Sequence, residues 1–577
     1  MTASDTVKDG RYPSTHAFTS QQEMDRALVE LSTHSQEWVD LPLRERIKIV
    51  EQVRKAFPEV WDRWAEYSVA AKGIAERKEA NDMEWLEIAL LNRMHHTVYR
   101  SLGEIRDNRN PKIPGGFRIL PNGQVAARVF PNDWANRLTF RGVEVDVWLE
   151  PGVSLEEAQT KRASAYKQQD RKGKVALVLG AGNASPLPSS DTFHKLFEDL
   201  CVVILKMNPV NSYLGPLLEE GYRALIEGGF LRIVYGGPAE GNYLVHHELV
   251  DEIHMTGSDR TYEKIVFGSG EQGRHHRAAG TPLVKKPIEG ELGCITPWIV
   301  VPGAWSKDDI QEQAAKMAFW MMRNEGYLCF APRLLVMHKS WPLREPFLKA
   351  LVDSLSLVRP IRAYYPGSAE TQRIFVDAHP EAIEIGGGYE DHVPWTVIPG
   401  LDPAATDDIC YRRESFSGMC GEVALQASSV PEFLDRAVKF VNRTVWGTLS
   451  ATLVVSGQSL SDKAVGAAAE RAIGDLRYGT VALNVPGVWG LYTMVGPWGG
   501  FPGSDISEIQ SGVGRVGNFL MLHRPEKTLI KAPFKNRPNP FLSTAKDLHI
   551  FSKKLAEFEN EPNYWRLPGL FWSAFRT

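Results

Sequence analysis

No uninterrupted apolar run in the 577 residues reaches the roughly 18 needed to cross a bilayer. The leading segment, MTASDTVKDGRYPSTHAF, lacks the apolar centre of a secretory signal. There is no surplus of positive charge. The net charge is −4, which argues against a nucleic-acid binder resting on a strongly basic domain. Cysteine is scarce: five residues without paired spacing make neither a disulfide framework nor a zinc site. His246-His247 and His275-His276 lack a thiol or carboxylate at ligand spacing, so no metal is assigned. These absences leave a cytoplasmic protein with no membrane segment and no nucleic-acid partner as the expectation. The length leaves room for two or three domains around large cores.

What is present is organised around residues 284–336. Glu291 lies in the turn-like run Glu289-Gly290-Glu291-Leu292-Gly293. Cys329 ends Asn324-Glu325-Gly326-Tyr327-Leu328-Cys329. Between them come an apolar run, Trp298 to Val301, and a helical stretch from about Lys307 to Arg323. A buried strand and a return helix would place both residues on loops facing one cleft, which suits a base and a nucleophile. Taken alone, a single cysteine is usually a small buried hydrophobe, and a glutamate beside glycines is usually solvated. Their weight depends on the rest of the chain.

Residues 1 to about 20 are polar and expected to be loose. From Gln21 to Ile105 apolar residues recur at helical spacing (Leu28, Leu31, Trp38, then Ile47, Val50, Val53, Phe57). Residues 123–130 and 138–149 alternate apolar and polar, and Pro131-Asn132-Asp133 joins them as a hairpin. From Lys174 short apolar runs alternate with helical stretches: Val175–Leu179, Val202–Lys206, Leu231–Tyr235 and Ile253–Met255. That alternation predicts an α/β fold with a doubly wound parallel sheet, which binds ligands at the carboxyl ends of its strands. Asn183, Lys206 and Thr256-Gly257-Ser258 fall at such ends. Two glycine patterns carry little. Gly180-x-Gly182-x-x-Ser185 lacks the third glycine, and Gly268-x-Gly270-x-x-Gly273 follows a helical stretch and reads as a surface loop.

In this order the residues resemble the aldehyde dehydrogenase superfamily over roughly residues 20–525. Asn183 matches the family's oxyanion asparagine, and Lys206 in Leu-Lys-Met-Asn-Pro the lysine on the adenosine ribose. Gly257 and Ser258 match the pyrophosphate turn, Glu291-Leu292-Gly293 the general-base motif, and Cys329 the thiol nucleophile. Glu414-Ser415-Phe416 resembles the Glu-x-Phe that holds the nicotinamide ribose. Gly479-Thr480-Val481, Asn484 and Pro497-Trp498-Gly499-Gly500-Phe501 resemble the C-terminal strand and glycine-rich stretch. Three positions depart from the pattern. Cys294 replaces a second glycine, where a thiol would either crowd the base or pack. Pro209 replaces a glutamate that selects a 2′-hydroxyl, which leaves NAD versus NADP open. Ser417-Gly418 follows Glu-x-Phe in place of Gly-Pro.

The resemblance implies a cofactor-binding part (20–115 and 172–290), a hairpin arm for oligomerisation (116–171), a catalytic part (291–500), and a C-terminal segment with an extended tail (501–577), the tail running from Pro525. It also implies NAD or NADP, an aldehyde substrate, and a homodimer or homotetramer built by strand exchange, unless the long tail covers the hairpin edge within one subunit. The chemistry would run from thiolate attack by Cys329, through an adduct held by Asn183 and the Cys329 backbone N–H, to a thioester that water activated by Glu291 hydrolyses. Two other readings stay open: an acylating enzyme of the same fold that uses coenzyme A instead of water, and a non-catalytic binding protein. Aromatic residues near the site (Trp298, Trp320, Tyr327, Phe330, Trp489, Tyr492, Trp498) hint at an apolar or aromatic aldehyde, although core packing explains most of them equally well.

Overall fold

A computed structural model describes residues 17–77, 80–387, 391–535, 539–543 and 545–577. Most of the leading segment read as loose therefore lies outside the described residues. Two sheets dominate. The first has six strands in the order 512–513, 288–291, 252–256, 175–179, 202–207, 231–235. All are parallel except the short 512–513 edge. Val175–Leu179 and Val202–Met207 are apolar nearly throughout because helices cover both faces of the sheet, as parallel strands require. The helix Gln21–Asp40, started by a capping box between Ser20 and Glu23, packs on this sheet through Met24, Leu28, Leu31 and Trp38. The doubly wound α/β expectation holds.

The second sheet has eleven strands, and its parallel centre is 480–483, 450–454, 296–300, 332–338, 419–425, 395–401. The hairpin region adds Phe117–Ile119, Val125–Phe130 and Glu144–Leu149 at one end. One expectation fails here. Residues 134–139 form a helix, because Asp133 accepts the Asn136 N–H at 2.8 Å and caps it, so the second strand begins only at Glu144. Likewise Gly270–Ala278 is helical rather than a loop.

The inner edge of the hairpin region, at Glu144–Leu149, is covered from within the chain, while Phe117–Ile119 ends the sheet. Pro525–Lys531, read in the sequence as the start of a tail, pairs antiparallel with Glu144–Leu149 and parallel with Thr480–Leu483. Strand exchange is thus not needed to join the hairpin to the large sheet. The tail ends in two helices, Leu548–Asn560 and Leu567–Arg576. The first lies along the long helix Ala80–Asn108, fixed by the buried Arg93–Glu559 pair and an Asn92 bond to the Ala556 carbonyl at 2.9 Å. Among the described residues no helix is long and apolar enough to cross a membrane.

Candidate active site

The helix Lys307–Met322 ends in a loop that is held in an uncommon shape. Asn324, Glu325 and Gly326 have φ of 49°, 56° and 81°, three left-handed residues in succession. For the two with side chains this conformation costs on the order of 1–2 kcal/mol each, and it persists only when neighbours over-determine it. They do so here. Asn324 donates to the Asn183 carbonyl at 2.5 Å and accepts from the Tyr364 hydroxyl at 3.1 Å. Glu325 takes the Arg77 guanidinium at 2.7 Å and the Arg362 N–H at 2.6 Å. Only glycine fits third, since a Cβ on Gly326 would lie 2.7 Å from the Gly418 nitrogen. The loop then delivers Cys329 just before the strand Pro332–His338.

The Arg77–Glu325 pair is buried, with side chains 6% and 10% exposed. Arg77→Met is expected to strand the carboxylate and to cost roughly 3–5 kcal/mol of stability. The midpoint of denaturant unfolding reports it, and a loss under about 1 kcal/mol contradicts this account of the loop.

Glu291 closes the strand Ile288–Glu291 and is 4% exposed. The Cys329 thiol and the Trp498 indole both lie near enough to its carboxyl to act on its ionisation. Burial pushes its pKa up to about 7, those two groups pull it down, and Asp191 adds to the rise. Burial, then the Glu291 charge, hold the Cys329 thiol well above its ordinary value. The resting arrangement is a protonated thiol against a carboxyl able to take its proton. Asn183 stands beside them. Its amide donates to the Tyr327 carbonyl at 3.0 Å, two residues before Cys329, which leaves a second amide hydrogen for another acceptor.

The residues expected to hold a cofactor line the strand ends. Lys206 lies in the strand Val202–Met207, and burial lowers its pKa to about 8. Gly257 donates its N–H to the Glu291 carbonyl at 3.1 Å, which sets the Thr256–Ser258 turn against the base. Ser258 caps the helix Asp259–Phe267, whose first N–H groups suit a phosphate. Burial pushes Glu414 up to about 8, against the charge of Arg333 and a hydrogen bond from the Cys294 N–H. Its Oε1 is buried without a hydrogen-bond partner, an acceptor fit for a ribose hydroxyl. Gly293 makes room for it, since a Cβ there would lie 1.9 Å from Glu414 Oε2. The Phe416 ring lies 6.2 Å from Tyr327 and 5.1 Å from Tyr365. These residues fit a dinucleotide.

Cys294 packs rather than crowds: it is fully buried, its sulfur is 3.0 Å from the place a Cβ on Gly447 would take, and burial raises its pKa to about 11. Sequence reading did not single out Asn324, Tyr364, Arg77, Glu325 or Arg333, nor Trp498 as a partner of Glu291. Each acts through a distant contact that spacing does not encode.

Residues 200–363 match the profile of the aldehyde dehydrogenase family, a span that holds Lys206, Gly257, Ser258, Glu291 and Cys329. Betaine aldehyde dehydrogenase from Brucella anthropi is 27% identical over 330 residues, covering 53% of this chain and 58% of that protein. The Brucella melitensis protein of the same description is 25% identical over 498 residues, 81% of this chain and 90% of that one. Among solved structures, an aldehyde dehydrogenase mutant from Pseudomonas syringae, in complex with NAD+ and octanal, aligns over 90% of both chains at 16% identity with a TM-score of 0.59. Over residues 200–363 the chain is thus similar to aldehyde dehydrogenases, and it shares their fold.

Proposed function

We propose that this chain oxidises an aldehyde to a carboxylic acid with NAD or NADP, through a thioester on Cys329. The observation that carries this reading is the closeness of the half-buried Cys329 thiol to the buried Glu291 carboxyl. Glu291 takes the thiol proton as sulfur adds to the aldehyde carbon. The Asn183 amide and the Cys329 backbone N–H donate to the resulting oxyanion. A bound nicotinamide supplies the hydride acceptor. Lys206 and Glu414 hold the ribose groups, Ser258 and Gly257 the pyrophosphate, and Phe416 flanks the ring. After passing that proton to solvent, Glu291 takes a proton from the water that cleaves the thioester, which frees the acid and returns the Cys329 thiolate. An aldehyde panel run with each cofactor, read by absorbance of the reduced form, tests the reading; no reduction with any aldehyde sinks it.

In this reading residues 20–115 and 172–290 make the cofactor-binding part and 291–500 the catalytic part, each sheet gaining a strand from 501–577. The neighbours solved with NAD+ and with NADP support a nicotinamide cofactor in general. Pro209 leaves no carboxylate three residues after Lys206 to repel a 2′-phosphate. Lys206→Ala is expected to weaken the preferred cofactor by about 10–100-fold, the worth of one hydrogen bond to a charged group. Unchanged affinity for both cofactors removes Lys206 from the site.

The aldehyde is proposed to carry an apolar group. A cavity of about 150 Å³ lies between Trp320, Trp489, Phe541, Phe551 and Leu570, and Trp320 leads toward the nucleophile through Phe330, 6.1 Å away between ring centres. A cytoplasmic setting fits the need to keep Cys329 reduced. Self-association as a homodimer or homotetramer is also proposed, because the outer strand Phe117–Ile119 leaves an open edge with Ile119 64% exposed, and Trp565 is 93% exposed. Light scattering at micromolar concentration is expected to give at least twice the chain mass; a monomer rules this out.

A further inference from the structure

Two groups of side chains outside the active site have the composition of metal ligands, and only one has the room. His194, His254 and Glu289 come together inside the six-stranded sheet's helical cover. There the Lys195 ammonium already stands 2.7 Å from Glu289 and 2.8 Å from Asp199, so the position of a cation is filled. The second group is His379, Asp408 and Cys410. Among the described residues, no lysine or arginine pairs with Asp408, and His379 stands 3.2 Å from it.

We infer that His379 Nε2, an Asp408 carboxylate oxygen and Cys410 Sγ bind one zinc ion. The distances have the right scale. Zinc lies about 2.0–2.2 Å from nitrogen and oxygen and about 2.3 Å from sulfur, so tetrahedral neighbours stand roughly 3.3–3.6 Å apart. His379 Nε2 is 3.2 Å from Asp408 Oδ1 and 3.6 Å from Cys410 Sγ. The other ring nitrogen, Nδ1, meets Glu381 Oε1 at 3.0 Å. That carboxylate–histidine relay is how metal-binding imidazoles are fixed in orientation. Asp408 and Cys410 are locked together as well, since Asp408 Oδ1 accepts the Cys410 N–H at 2.8 Å and caps the short helix Ile409–Arg412. His379 and Cys410 are buried, at 8% and 6% exposure.

Thiolate, imidazole and carboxylate together favour zinc over calcium or magnesium. Three protein ligands leave the fourth position to water. The ion would tie the end of the helix Ser368–Ala378 to the segment that runs from Cys410 into Glu414 and Phe416. Nothing in the sequence announces this site, because 31 residues separate His379 from Cys410.

The test uses the whole chain stripped with a chelator and titrated with Co²⁺, read by visible absorption, with metal content by elemental analysis. One Co²⁺ per chain is expected, with a thiolate-to-cobalt charge-transfer band that zinc abolishes. Cys329→Ser keeps the band. Cys410→Ser and His379→Asn lose it and bind at least about 100-fold more weakly. Glu381→Gln alters a half-exposed residue that touches no other part of the site, and is expected to fold normally and weaken binding about 10–100-fold. If the two ligand variants fail to fold, the wild-type stoichiometry and Glu381→Gln decide. No stoichiometric binding by the wild type, a band that survives in folded Cys410→Ser, a band lost in Cys329→Ser, or unchanged affinity in Glu381→Gln overturns the site.

Discussion

A Cys329→Ala chain is expected to bind NAD and NADP as the unaltered chain does and to lose aldehyde oxidation by on the order of 10⁶-fold, the scale on which removing a covalent nucleophile acts. The fold should survive. The alanine keeps the backbone N–H, and the loop before it is fixed by Asn324, Glu325 and Gly326, none of which bonds the sulfur. The same change should abolish labelling by an electrophilic aldehyde analogue in intact mass. The competing thiol is Cys294, which is buried against Gly447, whereas Cys329 is partly accessible. Label on Cys294 with Cys329 untouched overturns the assignment, as does residual oxidation above about one part in 10³.

Much of this arrangement was legible before the structure. Helical spacing over 21–105 and the apolar runs Val175–Leu179 and Val202–Lys206 are local signals, and the structure reproduces those elements. The single cap at Asp133 is also local, but alternation masks it, so the last residues of the helix Trp134–Thr139, Leu138 and Thr139, read as the start of a strand. Long-range pairing leaves no such trace. Pro525–Lys531 is a strand only because Glu144–Leu149 and Thr480–Leu483 flank it, far away in sequence. Within the site the sequence pointed to Glu291 and Cys329 but not to what shapes them. Arg77 reaches Glu325 across 248 residues, and Asn324 and Glu325 adopt left-handed backbone that their residue types do not announce. The motif positions are local; the strain that presents them is tertiary.

Glu291→Gln separates the two halves of the reaction. A thioester on Cys329 persists unless water is activated, and general-base help is typically worth about 10²–10⁴-fold. The variant is expected to release about one equivalent of reduced cofactor per active site, more slowly than the wild type because glutamine cannot take the thiol proton, and then to turn over 10²–10⁴-fold more slowly, with acyl-enzyme visible in the intact mass. In the wild type the steady-state rate should rise with pH through about 7, where the Glu291 carboxyl ionises, and level off above it. Because folding raises this pKa above the ordinary carboxylate value, ionising Glu291 works against the fold as pH increases. The glutamine variant is therefore expected to be at least as stable as the wild type at pH about 8 while nearly inactive, and its slow rate should be flat across neutral pH. A variant that merely unfolds loses the burst as well as the turnover. The acylating alternative makes the opposite forecast. A wild type that is slow in water and fast with coenzyme A, and a Glu291→Gln variant that is little changed when coenzyme A is present, would make the thiol rather than water the acyl acceptor and leave Glu291 without an essential role as base.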